Sequence, residues 1–191
     1  LSAGRVRKLQ AEYEIQPAYT YFPLHPDTPK TGRSLADLFK GQEAVFEDMR
    51  KRLVELIAAE GLPYGDRTHT YNSRLAQELA AWGDSLGATD ALHDALFRAY
   101  FVDDLNLAES DVLVAAAESA GLDPGKARAV VEERRFKETI DAHWQAARQT
   151  GVTGVPTFVA AGAGVVGAQP YEVLELLMER VGVPRRGTAS L

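Results

Sequence analysis

Apolar side chains recur at three- and four-residue intervals along most of this chain, and the pattern changes only near its two ends. Val6, Leu9 and Tyr13 share one face of a first helix predicted to end near Glu14. Gln16 to Leu24 then alternates enough to predict a strand, with Tyr19, Tyr21 and Phe22 suited to a partly buried pleated surface. Pro23, Pro26 and Pro29, with Asp27 and Gly32, turn the next segment into a loop by removing donors and fixing backbone angles. From Ser34 to Gln149 the period is helical throughout, with breaks and no strands between segments. Val45, Met49, Leu53 and Leu56 or Ile57 predict a long amphipathic helix stopped at Gly61. Asn72 is a cap candidate for a helix carrying Leu75, Leu79, Trp82 and Leu86, and Leu92, Leu96 and Tyr100 mark the next. Another helix spans 108–120, Asp123-Pro124 starts its successor, and Phe136, Ile140 and Trp144 lead into Gly151.

After Gly151 the pattern shifts again. Val155-Pro156 opens the apolar run Thr157-Phe158-Val159, and Gly162 and Gly164 read as a hairpin turn joining two strands. Val173, Leu174, Leu177, Met178 and Val181 then give a closing amphipathic helix. A proline donates nothing to a ladder, so Pro156 stands at a first strand residue, an edge or a special turn; a cis bond is one way to meet that constraint. A strand-bearing front, a helical middle and a strand-strand-helix end predict an α/β fold whose two ends pack together around a helical insertion. The predicted organisation is a core of 1–33 and 150–183, an insertion of 34–149 and a flexible tail of 184–191.

At 191 residues with 46% apolar content, the chain can bury a sizeable core. No run approaches the about 20 apolar residues of a membrane-spanning helix, so no membrane partner is expected. The net charge of −6 argues against a nucleic-acid partner, and the basic groups at Arg5, Arg7 and Lys8, or Lys51 and Arg52, read as solvated helix faces. His25, His69, His93 and His143 lack paired metal-ligand spacing, so no metal is expected. Asp103 and Asp104 read as solvated caps. With no cysteine, the chain has no thiolate of its own.

Four segments in order carry a resemblance: Phe22-Pro-Leu-His-Pro-Asp-Thr-Pro29, Asn72-Ser-Arg-Leu-Ala76 with Ala95-Leu-Phe-Arg-Ala-Tyr-Phe101, Ala120-Gly-Leu-Asp123, and Thr153-Gly-Val-Pro-Thr-Phe-Val159 with the helix that follows. Together they resemble the DsbA-like thioredoxin-fold oxidoreductases, more narrowly the FrnE-type branch, in which a helical insertion divides a thioredoxin-like core. That resemblance implies a cis Val155–Pro156 bond and a substrate-binding role for Gly154, Val155, Pro156 and Thr157, with no catalytic residue and no cofactor in the chain. Family members carry a first strand and a Cys-Pro-x-Cys-type motif, and Leu1 to Leu9 resembles the residues just after it, so the sequence is expected to start about where the active site ends.

The activity implied is thiol-disulfide exchange, with a disulfide- or thiol-containing protein or small molecule as partner and cytoplasmic residence as in the resembled branch. Two alternatives accompany it. One is a glutathione-dependent isomerase or transferase of the hydroxychromene-carboxylate isomerase or kappa type, with glutathione as partner; Ser2 is the only hydroxyl left at the start of the first helix and reads as an ordinary first-turn residue. The other is a non-catalytic thioredoxin-like peptide-binding protein. Nothing in the pattern sets the oligomeric state.

Overall fold

A computed structural model of the chain describes residues 1–187. In chain order the elements are α1 (Ser2–Glu12), β1 (Arg33–Ser34), α2 (Leu35–Leu38), α3 (Glu43–Ala59), β2 (His69–Thr70), α4 (Arg74–Ser85), α5 (Thr89–Phe101), α6 (Ser110–Ser119), α7 (Pro124–Glu132), α8 (Lys137–Gln149), β3 (Thr157–Ala160), β4 (Ala163–Val166) and α9 (Tyr171–Arg180). They fall into two compact units, Leu1–Leu24 with Ala146–Leu191, and His25–Gln145. These limits lie at 24/25 and 145/146 where the composition suggested 33/34 and 149/150. The proline-rich loop belongs with the helices because Asn72 reaches back to it, its Nδ2 donating to the carbonyls of Pro26 at 3.1 Å and Thr28 at 2.9 Å.

In the first unit, α1 buries Leu9, and Tyr13 beyond its end is fully buried; α9 buries Leu174, Leu177 and Met178 on one face. The antiparallel β3–β4 hairpin completes this core, pairing Phe158 with Val165 and Ala160 with Ala163, all four turned toward it. Its turn is Ala161-Gly162, with φ of 45° and 80°, the mirror-image geometry that matches strand twist in two-residue loops. Gly164 is therefore not a turn residue, as the sequence suggested, but sits in β4 opposite Val159. A Cβ there would stand 3.1 Å from the Phe158 carbonyl oxygen.

Two expectations for this unit need correction. Gln16 to Leu24 forms no strand, because neither two-stranded sheet extends to it and a strand exists only through its partner. Residues 184–186, expected in a flexible tail, instead join the end of α1: Glu14 N–H donates to Pro184 O at 2.9 Å and Arg186 N–H to Glu12 O at 2.8 Å. The end of that expected tail, 188–191, lies outside the described residues.

The second unit is built around α4, which buries Ala76, Glu78, Leu79, Ala80, Ala81, Trp82 and Gly83, far more than one stripe. Helices α5, α6 and α7 surround it. A Cβ on Gly83 would stand 2.5 Å from Leu92 Cδ2, so glycine lets α4 and α5 approach closely. Leu86, placed on the apolar face from its spacing, is 54% exposed beyond the helix end. Asp123 caps α7, its Oδ1 accepting from Lys126 N–H at 2.8 Å with Pro124 in the first turn. The expectation of helices alone between 34 and 149 also fails in one place. Arg33–Ser34 pairs with His69–Thr70, a two-residue ladder too short to leave a periodic signal.

Candidate functional site

Helix α8 delivers the chain to the candidate site through a glycine stop. Gly151, at φ 70°, follows the last turn; its N–H donates to Arg148 O at 3.2 Å and that of Val152 to Ala147 O at 3.0 Å. This left-handed cap satisfies carbonyls that a helix end would otherwise leave open, and it redirects the backbone into 152–156. The Val155–Pro156 bond is cis.

Gly154, Val155, Pro156 and Thr157 lie in one turn at the mouth of β3. Thr157 Oγ1 donates to Gly154 O at 2.7 Å and closes the turn on itself. Gly167 N–H donates to Pro156 O at 2.7 Å, fastening it to the residue after β4. Gly154, Pro156 and Thr157 are half-buried, whereas Val155 is 47% exposed. Among the described residues neither the N–H nor the C=O of Val155 forms a hydrogen bond. The turn thus presents one main-chain donor and one acceptor to solvent on a backbone held from both sides. Val159 and Val166, 67% and 59% exposed, extend an apolar surface from it along the hairpin's outer face.

Arg5 is part of this construction. Read from the sequence as a solvated group, it donates from Nη1 to Ala168 O at 3.0 Å and Gln169 O at 2.6 Å, tying the first turn of α1 to the segment after β4. Gln169 Nε2 in turn donates to Val166 O at 2.6 Å. Lys8, read the same way, lies 3.7 Å from the centre of the Tyr171 ring. No local pattern marks Arg5, because its partners are main-chain carbonyls more than 160 positions away. Ser2 lies in the first turn of α1, whose start has no side-chain cap.

Two tyrosines in the core of this unit, Tyr13 and Tyr171, are held neutral. Burial pushes the Tyr13 hydroxyl above its ordinary value against the opposing pull of Arg185, and burial together with the bond to Glu12 pushes Tyr171 up further.

The helical unit holds the other candidates. A cavity of about 250 Å³ is lined by Lys30, Asn72, Arg74, Leu75, Ala108 and Arg134 and includes none of residues 154–157. Its charges are already matched. Glu78, with no exposed surface, takes both Arg134 Nε and Nη2, at 2.7 and 2.6 Å, and Arg74 Nε at 2.6 Å. Arg74 also pairs with Asp141 at 2.7 Å, and Lys30 with Glu109 at 3.7 Å. Burial alone would raise the Glu78 carboxyl; hydrogen bonds and charge from Arg134 and Arg74 outweigh it and hold the group below its ordinary value. The sequence missed this triad, though the four-residue step from Arg74 to Glu78 is its one visible sign.

Asp104 is no solvated cap: its Oδ2 accepts from Thr68 N–H at 3.1 Å and Oγ1 at 2.5 Å. His69 Nδ1 lies 2.8 Å from Thr68 Oγ1, and its ring stacks on Tyr71. His93 is largely enclosed, and burial lowers its basicity against Asp84, Asp90 and Asp94. Among the described residues no three His, Cys, Asp or Glu side chains are grouped to hold a metal, and no helix is long and apolar enough to cross a membrane.

A helix, a hairpin entered at a cis-proline and a closing helix, interrupted by a helical body, define a thioredoxin-like fold with an insertion. The chain belongs to the DSBA-like thioredoxin domain family, which it matches over residues 1–179. It is similar to a probable DsbA oxidoreductase from Streptomyces coelicolor whose crystal structure superposes with a TM-score of 0.75, at 32% identity over 88% of this chain and 75% of that one. It is also 31% identical over 81 residues to the uncharacterized protein YwbO of Bacillus subtilis (strain 168), a match spanning 42% of this chain and 40% of YwbO. The α/β thioredoxin-like fold with a large helical insertion, expected from the sequence, is the fold observed.

Proposed function

We propose that the chain serves thiol-disulfide exchange of the DsbA kind, in the FrnE-type branch with its cytoplasmic setting, and that Gly154, Val155, Pro156 and Thr157 hold the substrate. The observation that carries this reading is the exposed, unpaired main chain of Val155 on a turn braced by Thr157 Oγ1 and Gly167 N–H. An extended peptide meets such an edge with one donor and one acceptor, the two-bond pairing of antiparallel backbone. Family membership and the likeness to a probable DsbA oxidoreductase support the chemistry. The partner is a protein or small molecule bearing a thiol or disulfide.

Exchange proceeds by attack of a thiolate sulfur on a disulfide sulfur, forming a mixed disulfide as the other sulfur leaves as thiolate. This chain has no cysteine, so its own residues bind and orient and no mixed disulfide forms on it. The test is amide hydrogen exchange during titration with an extended cysteine-containing peptide. The Val155 amide should become protected, Thr157→Val should weaken binding, and the chain should not reduce insulin. Protection confined to 25–145, or no binding at all, would overturn the reading. Glutathione is the second titrant: saturable binding of glutathione in preference to the peptide would favour the glutathione-dependent isomerase or transferase.

A further inference from the structure

Helix α3 is anomalous in this molecule. It has 17 residues and a clear apolar stripe, yet none of its residues is buried. Phe46, Leu53 and Ile57 on one edge of the stripe are half-buried, and Phe46 stacks on Phe39 with ring centres 4.5 Å apart. The other edge faces outward: Val45 is 56% exposed, Met49 58% and Leu56 44%. Steps of four, three and four residues place Val45, Met49, Arg52 and Leu56 in one row along the helix. An amphipathic helix whose stripe stays in water is a surface for another molecule.

The charges indicate which molecule. Within α3, Glu43, Glu47, Asp48 and Glu55 oppose Arg50, Lys51 and Arg52, so the helix has no excess charge of the kind that draws nucleic acid or an anionic membrane. Arg50 is engaged with Glu47 and Asp66, but Asp48, Lys51, Arg52 and Glu55 form no ion pair among the described residues. Set against itself in antiparallel sense, the row is self-complementary. Val45 meets Leu56 of the second copy, Met49 meets the aliphatic stem of Arg52 of the second copy, and each Asp48 comes beside an Arg52 across the two-fold axis. A parallel arrangement would set Asp48 on Asp48 and Arg52 on Arg52.

We infer that a second copy of this chain docks on α3, forming a two-fold symmetric dimer through the Val45–Met49–Arg52–Leu56 row. Such a contact is isologous, with the same patch on both partners. One helix pair falls at the small end of specific interfaces, so the dimer is concentration-dependent.

The absence of cysteine makes a direct test possible. Met49→Cys places one thiol near the axis, and Val54→Cys places one on the opposite side of the same helix, where Val54 is 40% exposed. Under mild oxidation Met49→Cys should cross-link to twice 20.8 kDa, and Val54→Cys should not. Sedimentation of the unmodified chain should show mass rising with concentration, lost in Met49→Glu. Arg52→Asp should weaken the dimer and Asp48→Arg combined with Arg52→Asp should restore it, with circular dichroism confirming that each variant is folded. A mass of 20.8 kDa at every concentration would overturn the inference. So would a dimer indifferent to Met49→Glu and Arg52→Asp, or a monomer that binds phospholipid vesicles through α3.

Discussion

The two units are stabilised by different kinds of contact. In the helical unit, α4, α5, α6 and α7 each pack on the next helix and α7 closes back on α4, and the polar exception, Glu78, is fully enclosed between Arg74 and Arg134. The unit that carries the Val155 turn has a smaller core, and its ties join the two ends of the chain. Arg5 reaches Ala168 and Gln169, Glu14 reaches Pro184, and Tyr13 pairs with Arg185. Contacts of long sequence separation carry a larger loop-closure cost before they stabilise anything. The residues proposed to bind substrate thus stand on the unit whose order depends on the most distant partners, while the ties of the insertion span shorter separations.

That difference predicts separable losses. The largest is Glu78→Ala, which leaves two guanidinium groups facing an emptied buried site; removing one partner of such a pair costs about 3–5 kcal/mol. Urea denaturation followed by Trp82 and Trp144 fluorescence, both tryptophans being in the helical unit, should show it. The same carboxyl sets a pH dependence. Its folded-state value is lowered, so its stabilisation is present above the ordinary carboxylate range and is lost as pH falls through that lowered value. Glu78→Gln should flatten this acid limb of the stability profile, and an unchanged slope would remove Glu78 from the account.

In the other unit Leu174→Ala removes a side chain only 1% exposed from a core with few members. Truncating a buried leucine costs about 2–5 kcal/mol. The comparison sharpens if hydrogen exchange then accelerates at Phe158 and Val165 while α4 and α6 keep their protection. Uniform acceleration would mean that the units unfold as one. A smaller, local effect is expected at Asp123→Ala, which deletes the α7 cap and costs about 1 kcal/mol by the same denaturation assay.

What the sequence disclosed follows the same division. Helix positions in the insertion were legible because their signals are local, as at Asp123-Pro124 or Gly121, where cap and stop lie beside the residues they govern. The β1–β2 ladder was not, since two residues carry no period, and the Gln16–Leu24 strand was misread because alternation cannot reveal whether a partner exists. At the candidate site, the turn residues were visible as a resemblance in Gly154-Val-Pro-Thr157. The supports of that turn were not: the Arg5 guanidinium bonds main-chain carbonyls far along the chain, which no residue type marks, and Gly167 acts through its own N–H, which any residue but proline supplies. The segment 184–186 looked unattached for the same reason, as its partners are the backbones of Glu12 and Glu14.

The smallest expected effect tests how that terminal segment is held. Arg185 lies over the Tyr13 ring, 4.8 Å from its centre, and bridges Glu175, Glu179 and Glu12. These groups are open to water, where ion pairs are weak and salt screens them. The backbone bonds from Glu14 to Pro184 and from Arg186 to Glu12 do not depend on the Arg185 side chain. Arg185→Ala should therefore lower the thermal midpoint only slightly at low salt, and the difference from the parent should shrink as salt is added. A large loss that salt leaves untouched would show that the guanidinium holds the segment through its packing on Tyr13, making one exposed arginine a structural member of the unit that carries the Val155 turn.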